Sequence, residues 1–195
     1  MKPDLCRPIL ATLLLFALAA LAAGAADPPA TPSPSAAVKA HLLAELDNAR
    51  QMTLALADRL PEESYNWRPH ERMRTPGEML LLTARVNFTL PENWGVKPPA
   101  ELVLCGNYLD QGKLEKAKVI DLVKKSFDHA RQSIAGVADA DFLKIALVDN
   151  RRATPYEDIL TLVTTAHQNL GRLIDYALLK GIIPPWMGGW SSSGP

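Results

Sequence analysis

Two short stretches decide the fold: Thr75-Pro76-Gly77-Glu78 and, farther along, Thr154-Pro155-Tyr156-Glu157. In each, Thr stands where a helix N-cap belongs, Pro at the first helical position and Glu at the third. The Thr hydroxyl and the Glu carboxylate each satisfy a backbone amide that the first turn leaves unpaired, and Pro has no amide to leave. Each box therefore predicts a helix start. After the first, Met79, Leu80, Leu82, Val86 and Leu90 continue at helical spacing until Pro91. After the second, Leu160, Val163, Leu170, Ile174 and Ala177 run on to Gly181, which suits a left-handed C-terminal cap, with Pro184-Pro185 beyond.

Working outward, a segment from Ala36 to Leu60 carries Val38, Leu42, Leu46, Ala49, Leu56 and Leu60 at spacings of three and four; Ser35 can cap it and Pro61 stops it. Another begins near Lys116 and uses Val119, Leu122, Val123, Phe127, Ala130 and Ile134 before Gly136. Strict alternation is nearly absent, and only 100–104 and 145–148 are short apolar runs able to pair as strands. Four amphipathic helices with no sheet to cover must bury their stripes against one another, so the expectation is an all-α four-helix bundle. The long connection from Pro91 to about Glu115 predicts a crossover between helices two and three.

The N-terminus carries an address. Lys2 and Arg7 precede an uncharged Leu/Ala-rich run from Ile9 to Ala23, and Ala23-Gly24-Ala25 offers the small residues of a signal-peptidase site. We therefore divide the chain into a signal peptide (1–26), a Pro/Ala/Ser-rich spacer (27–35), the bundle (36–185) and a Gly/Ser-rich tail (186–195). Such a chain is secreted or periplasmic, with no stable membrane insertion once the signal is removed; a retained anchor is the rival reading of the same run. Removal of the signal takes Cys6 with it and leaves Cys105 alone, so export here implies no internal disulfide.

The composition is that of a globular protein, and 21 basic against 21 acidic residues among 195 leave no surplus that would favour nucleic acid. No phosphate loop, nucleophile elbow or zinc-deaminase signature occurs, and no catalytic residue is assigned. His41, His70, His129 and His167 contain no pair at helical ligand spacing; His129 and His167 could meet only through the fold. Glu62-Glu63 and Glu157-Asp158 sit at helix boundaries, where capping and dipole roles account for them. Thr165, Asn169 and Arg172 share one stripe of the last helix and could wall a polar pocket or form a solvated shoulder. Trp67, in Asn66-Trp67-Arg68-Pro69, is expected to plug one end of the core. Trp186 and Trp190 lie in the tail, which could fold back on the bundle or stay mobile.

Trp67-Arg68-Pro69, the Thr75 box, and Gly171 followed by Tyr176 and Leu179-Lys180-Gly181-Ile182-Ile183-Pro184-Pro185 occur in an order and spacing that resembles the DinB-like (DNA-damage-inducible) family, part of the wider DinB/YfiT-like group of four-helix bundles. The resemblance spans about Val38 to Pro185. It implies a divalent metal held inside the bundle by three histidines, one on helix two and two on helix four. Aligned on Glu78 and Gly171, those positions hold Leu82, Thr165 and Asn169 in this chain. Leu has no lone pair, and Thr and Asn are weak neutral ligands beside imidazole. The resemblance thus implies the fold while its metal chemistry does not carry over.

The sequence points to an exported bundle acting as a small-molecule-binding or accessory module. It has no cofactor or metal, and its remnant pocket is walled by Leu82, Asn87, Thr165, Asn169 and Arg172. The alternative is a metal-dependent transferase or hydrolase with a different ligand set, using His129 and His167 around a divalent ion. A homodimer is left open. Intact mass of protein recovered from a secreting host should place the mature N-terminus at Ala26 or Asp27; a full-length mass in the membrane fraction would mean a retained anchor.

Overall fold

The computed structural model describes residues 32–110, 113–148 and 151–188; the expected signal peptide, most of the spacer and the end of the tail with Trp190 lie outside them. Among the described residues there are five α-helices: α1 (Pro34–Arg59), α2 (Pro76–Thr89), α3 (Glu101–Asp110), α4 (Lys116–Ala135) and α5 (Pro155–Leu179). A small antiparallel hairpin, β1 (Ala146–Val148) with β2 (Arg151–Ala153), precedes α5, and Ala146 lies opposite Ala153. The four-helix bundle is thus formed by α1, α2, α4 and α5, with α3 in the crossover. No helix among the described residues is long and apolar enough to cross a membrane.

Both capping boxes form. The Thr75 amide donates to Glu78 Oε2 at 2.8 Å while the Glu78 amide donates to the Thr75 hydroxyl at 3.1 Å. At α5 the corresponding distances are 2.7 and 3.2 Å between Thr154 and Glu157. The far end of α5 closes as a Schellman motif: the Ile182 amide returns to the Ala177 carbonyl at 2.8 Å, the Gly181 amide to Leu178 at 2.9 Å, and Gly181 takes φ +71°. The cap of α1 falls on Ser33, not Ser35, because Pro34 takes the first helical position and the Ser33 hydroxyl accepts from the Ala36 amide at 3.1 Å. The helix thus begins inside the expected spacer.

Side-chain pairs fix the directions. Asp47–Arg131 and Arg50–Asp128 bridge α1 and α4, and Lys39 reaches Asp139 in the turn after α4; one number rises as the other falls, so those two helices are antiparallel. Asn87 reaches Ser126 and Trp94 reaches the Ser133 carbonyl, so α2 and α4 run parallel. Asn169 donates to Thr83, and Glu45 meets His167. α1 and α2 each pack on both α4 and α5, and occupy opposite corners. Two parallel neighbours joined in sequence require a return path along the bundle. The chain makes that return between α2 and α4, where the sequence places its crossover. The path includes α3, whose Cys105 is buried against α2.

Leu46, Leu56, Leu80, Leu81, Phe127, Ile134, Ile159 and Leu162 fill the core with almost no exposure. Val38 and Leu160, expected in the apolar stripes, lie exposed. Of the two short apolar runs, 100–104 contributes the start of α3, and only 145–148 pairs, as β1. Asp158 is buried and held by Arg151 at 2.5 Å, which pins β2 to the first turn of α5.

Two glycines separate close approach from tolerance. A Cβ on Gly77 would lie 2.7 Å from Leu114 Cδ1 and 2.8 Å from the Tyr65 carbonyl, whereas one on Gly171 would meet nothing within 4 Å. Gly77→Ala should therefore cost about 1–3 kcal/mol through overpacking. Gly171→Ala, in an exposed helix interior, should gain about 0.5–1 kcal/mol. Urea unfolding of both variants checks the contrast, and equal effects would contradict the packing described.

Candidate functional site

Asn66, Trp67 and Arg68 gather three helix ends. The Asn66 side chain pairs both ways with Leu114, accepting from its amide at 2.7 Å and donating to its carbonyl at 2.9 Å, just before α4 starts. Trp67 sets its ring at 88° to Tyr176 of α5, centroids 6.5 Å apart, under Lys180 Nζ at 5.0 Å. Arg68 donates to Glu78 of α2 at 2.7 Å and to the Met73 carbonyl. Trp67 itself is half-buried; the plug at this end is Tyr65, fully buried, with its hydroxyl donating to the Ala57 carbonyl at 2.7 Å. The sequence expectation for Trp67 is corrected accordingly, because the turn Glu62–Asn66 aims Tyr65 inward and leaves Trp67 over the end of α5.

The residues expected to wall a common pocket part company. Asn87 is buried and donates to the Ser126 hydroxyl at 3.2 Å, toward α4, while its Oδ1 has no partner among the described residues. Asn169 is buried toward α2, its amide donating to the Thr83 hydroxyl at 3.1 Å; that hydroxyl in turn donates to the Met79 carbonyl at 3.2 Å. Leu82 and Thr165 are half-buried and make no hydrogen bond through their side chains among the described residues. Arg172 is exposed. The residues that sequence reasoning passed over are Thr83 and Thr53. Both are buried beside Asn169, and the Thr53 hydroxyl has no partner among the described residues.

This interior does not fit a metal. The crevice between Thr53, Met79, Leu80, Thr83, Asn169, Leu170 and Leu173 has no room for a water molecule. Its polar lining is two hydroxyls and a carboxamide, all neutral and hard to recruit against bulk water. Among the described residues no three His, Cys, Asp or Glu side chains cluster to hold an ion. The two histidines of the alternative ligand set are not brought together either. His129 on α4 faces Phe88 at 5.7 Å, and burial lowers its pKa. His167 on α5, at the opposite corner, lies 3.4 Å from Glu45 and 3.1 Å from the Val163 carbonyl. The Cys105 thiol is fully buried and pushed up to about 11, which keeps it protonated at neutral pH.

Open space lies at the surface instead. A pocket of about 430 Å³ is lined by Trp94, Val96, His129, Gln132, Val137 and Asp141, beside the C-terminal end of α4. Another of about 540 Å³ lies where the Arg68 loop meets the ends of α2 and α5, and Arg172 lines it. Arg172 therefore belongs to a site, although a different one from the interior wall expected of it. Trp186 turns back onto α1, against Asn48, Gln51 and Met52, so this part of the tail folds on the bundle.

No curated protein matches the sequence. The family profile of the DinB superfamily matches residues 45–170, which takes in most of α1, all of α2 to α4, the hairpin and α5 as far as Leu170. With this match over more than half of the chain, on a helical bundle that carries the capping boxes described, the chain belongs to the DinB superfamily.

Proposed function

We propose that the chain is an exported binding or accessory module of this superfamily that has no metal-dependent activity. The observation that carries the reading is the Asn169–Thr83–Met79 hydrogen-bond chain. It ties up the side-chain amide of Asn169, one of the three positions where the resemblance expects ligands, within a crevice that has no room for a water molecule. Leu82 and Thr165, at the other two positions, supply no nitrogen. Export is supported by the Lys2/Arg7 region, the apolar run and the small residues at 23–25.

A metal that binds only the folded chain raises its melting temperature with the logarithm of occupancy. For the native sequence, chelator or added zinc should leave thermal stability unchanged. Leu82→His, Thr165→His and Asn169→His together restore three nitrogens on two adjacent helices. That variant should melt roughly 5 °C or more higher with saturating zinc than with chelator. A zinc-dependent melting temperature in the native sequence, lost on His129→Ala or His167→Ala, would contradict the proposal.

A further inference from the structure

We infer that the pocket at the Arg68 loop binds a small organic oxyanion, a carboxylate or phosphate joined to an apolar body. The inference rests on the reading of the chain as a binding module and names its ligand class. The lining brings Arg72 and Arg74 from the loop together with Arg172 from α5, against a single carboxylate, Asp175. Neither Arg74 nor Arg172 makes an ion pair or side-chain hydrogen bond among the described residues, and the Arg72 contact to Glu71 is a fully solvated one at 3.9 Å. Guanidinium groups meeting at one concavity repel one another when it is empty, and an oxyanion satisfies their planar forks.

A second, independent observation points the same way. Tyr176 lines this pocket with only 4% of its surface exposed; its hydroxyl has no hydrogen-bond partner among the described residues and keeps contact with solvent, so it is a donor that a bound ligand can engage. Trp67 packs on the ring from one side, which fixes the position of the hydroxyl oxygen at the pocket. Met73, Met79 and Leu179 complete the lining and supply the apolar wall.

The support behind the pocket is built in. Arg172, Asp175, Tyr176 and Leu179 follow one face of the last turns of α5. The loop bearing Arg72 and Arg74 is closed by the Met73 amide on the His70 carbonyl at 2.9 Å and by the Arg72 amide on His70 Nδ1 at 3.2 Å. Arg68 then clamps that loop to Glu78. A pocket of about 540 Å³ takes a small molecule, and its concave, part-apolar lining favours one over an extended polyanion.

The test is calorimetric titration of the mature protein with phenyl phosphate, benzoate, inorganic phosphate and neutral benzyl alcohol. Saturable binding of phenyl phosphate or benzoate is expected, with whichever binds tighter identifying the oxyanion. Inorganic phosphate should bind more weakly and benzyl alcohol not at all. Arg172→Gln or Arg74→Gln should each weaken binding about tenfold, the scale of a lost charge-assisted hydrogen bond. Tyr176→Phe should weaken it less while leaving the fold intact. No binding of either aromatic anion, or binding unchanged in both Arg variants, overturns the inference. Repeating the titration with chelator separates the two proposals: anion binding that survives chelator, in a protein whose melting temperature depends on zinc, would sink the metal-free reading and keep the anion site, whereas anion binding that disappears with chelator would overturn both.

Discussion

The carboxylate of Glu78 is held from two sides, by the Thr75 amide through Oε2 and by the Arg68 guanidinium through Oε1. One group thus starts α2 and anchors the loop that leads into it. The residue before it is Gly77, whose missing side chain lets Leu114 and the Tyr65 carbonyl approach the first turn of α2. Asn66 then grips Leu114 from the same loop. Three helix ends are registered at one point, which adds to the Asn87–Ser126 and Trp94–Ser133 hydrogen bonds that hold the parallel pairing of α2 with α4. A charge-assisted hydrogen bond contributes about 1.5–3 kcal/mol net, enough to matter against the marginal stability of a domain.

This arrangement gives the motifs on which the resemblance rests a structural role that is independent of any ligand position. Trp67-Arg68-Pro69 and the Thr75 box work on the geometry of the bundle end, through contacts with Tyr176, Glu78 and Met73. Leu82, Thr165 and Asn169 have no part in that geometry. The polar interior at Asn169 satisfies itself in part, through the Thr83 hydroxyl and the Met79 carbonyl. The orphaned acceptor of Asn87 and the orphaned hydroxyl of Thr53 show that the satisfaction is incomplete.

The bundle was legible because capping boxes and proline stops are local, and local chemistry is written in consecutive residues. α3 was not, since 91–115 has no cap signal and its one buried face is short, with Cys105 at its centre. The cap at Ser33 shows the usual one-turn ambiguity where Ser and Pro alternate. The site was less legible for a different reason. Periodicity places Thr165, Asn169 and Arg172 on one stripe but cannot say which neighbour each stripe position meets. Asn169 faces Thr83, and three residues on the chain has reached the open end of the bundle, where Arg172 meets a loop from a hundred residues earlier in the sequence. Arg72, Arg74 and Tyr176 gave no sequence signal as a group because only the Arg68–Glu78 clamp brings them together.

The central claim is that this superfamily member keeps the fold and closes the interior where the resemblance expects a metal. Elemental analysis of the protein, purified without an affinity tag or chelating resin, tests it most directly. The account predicts zinc, nickel, iron and manganese far below one equivalent per chain. Near-stoichiometric metal that is lost in Asn169→Ala or Thr165→Ala would contradict it, and would return the interior of the bundle to the position of active site.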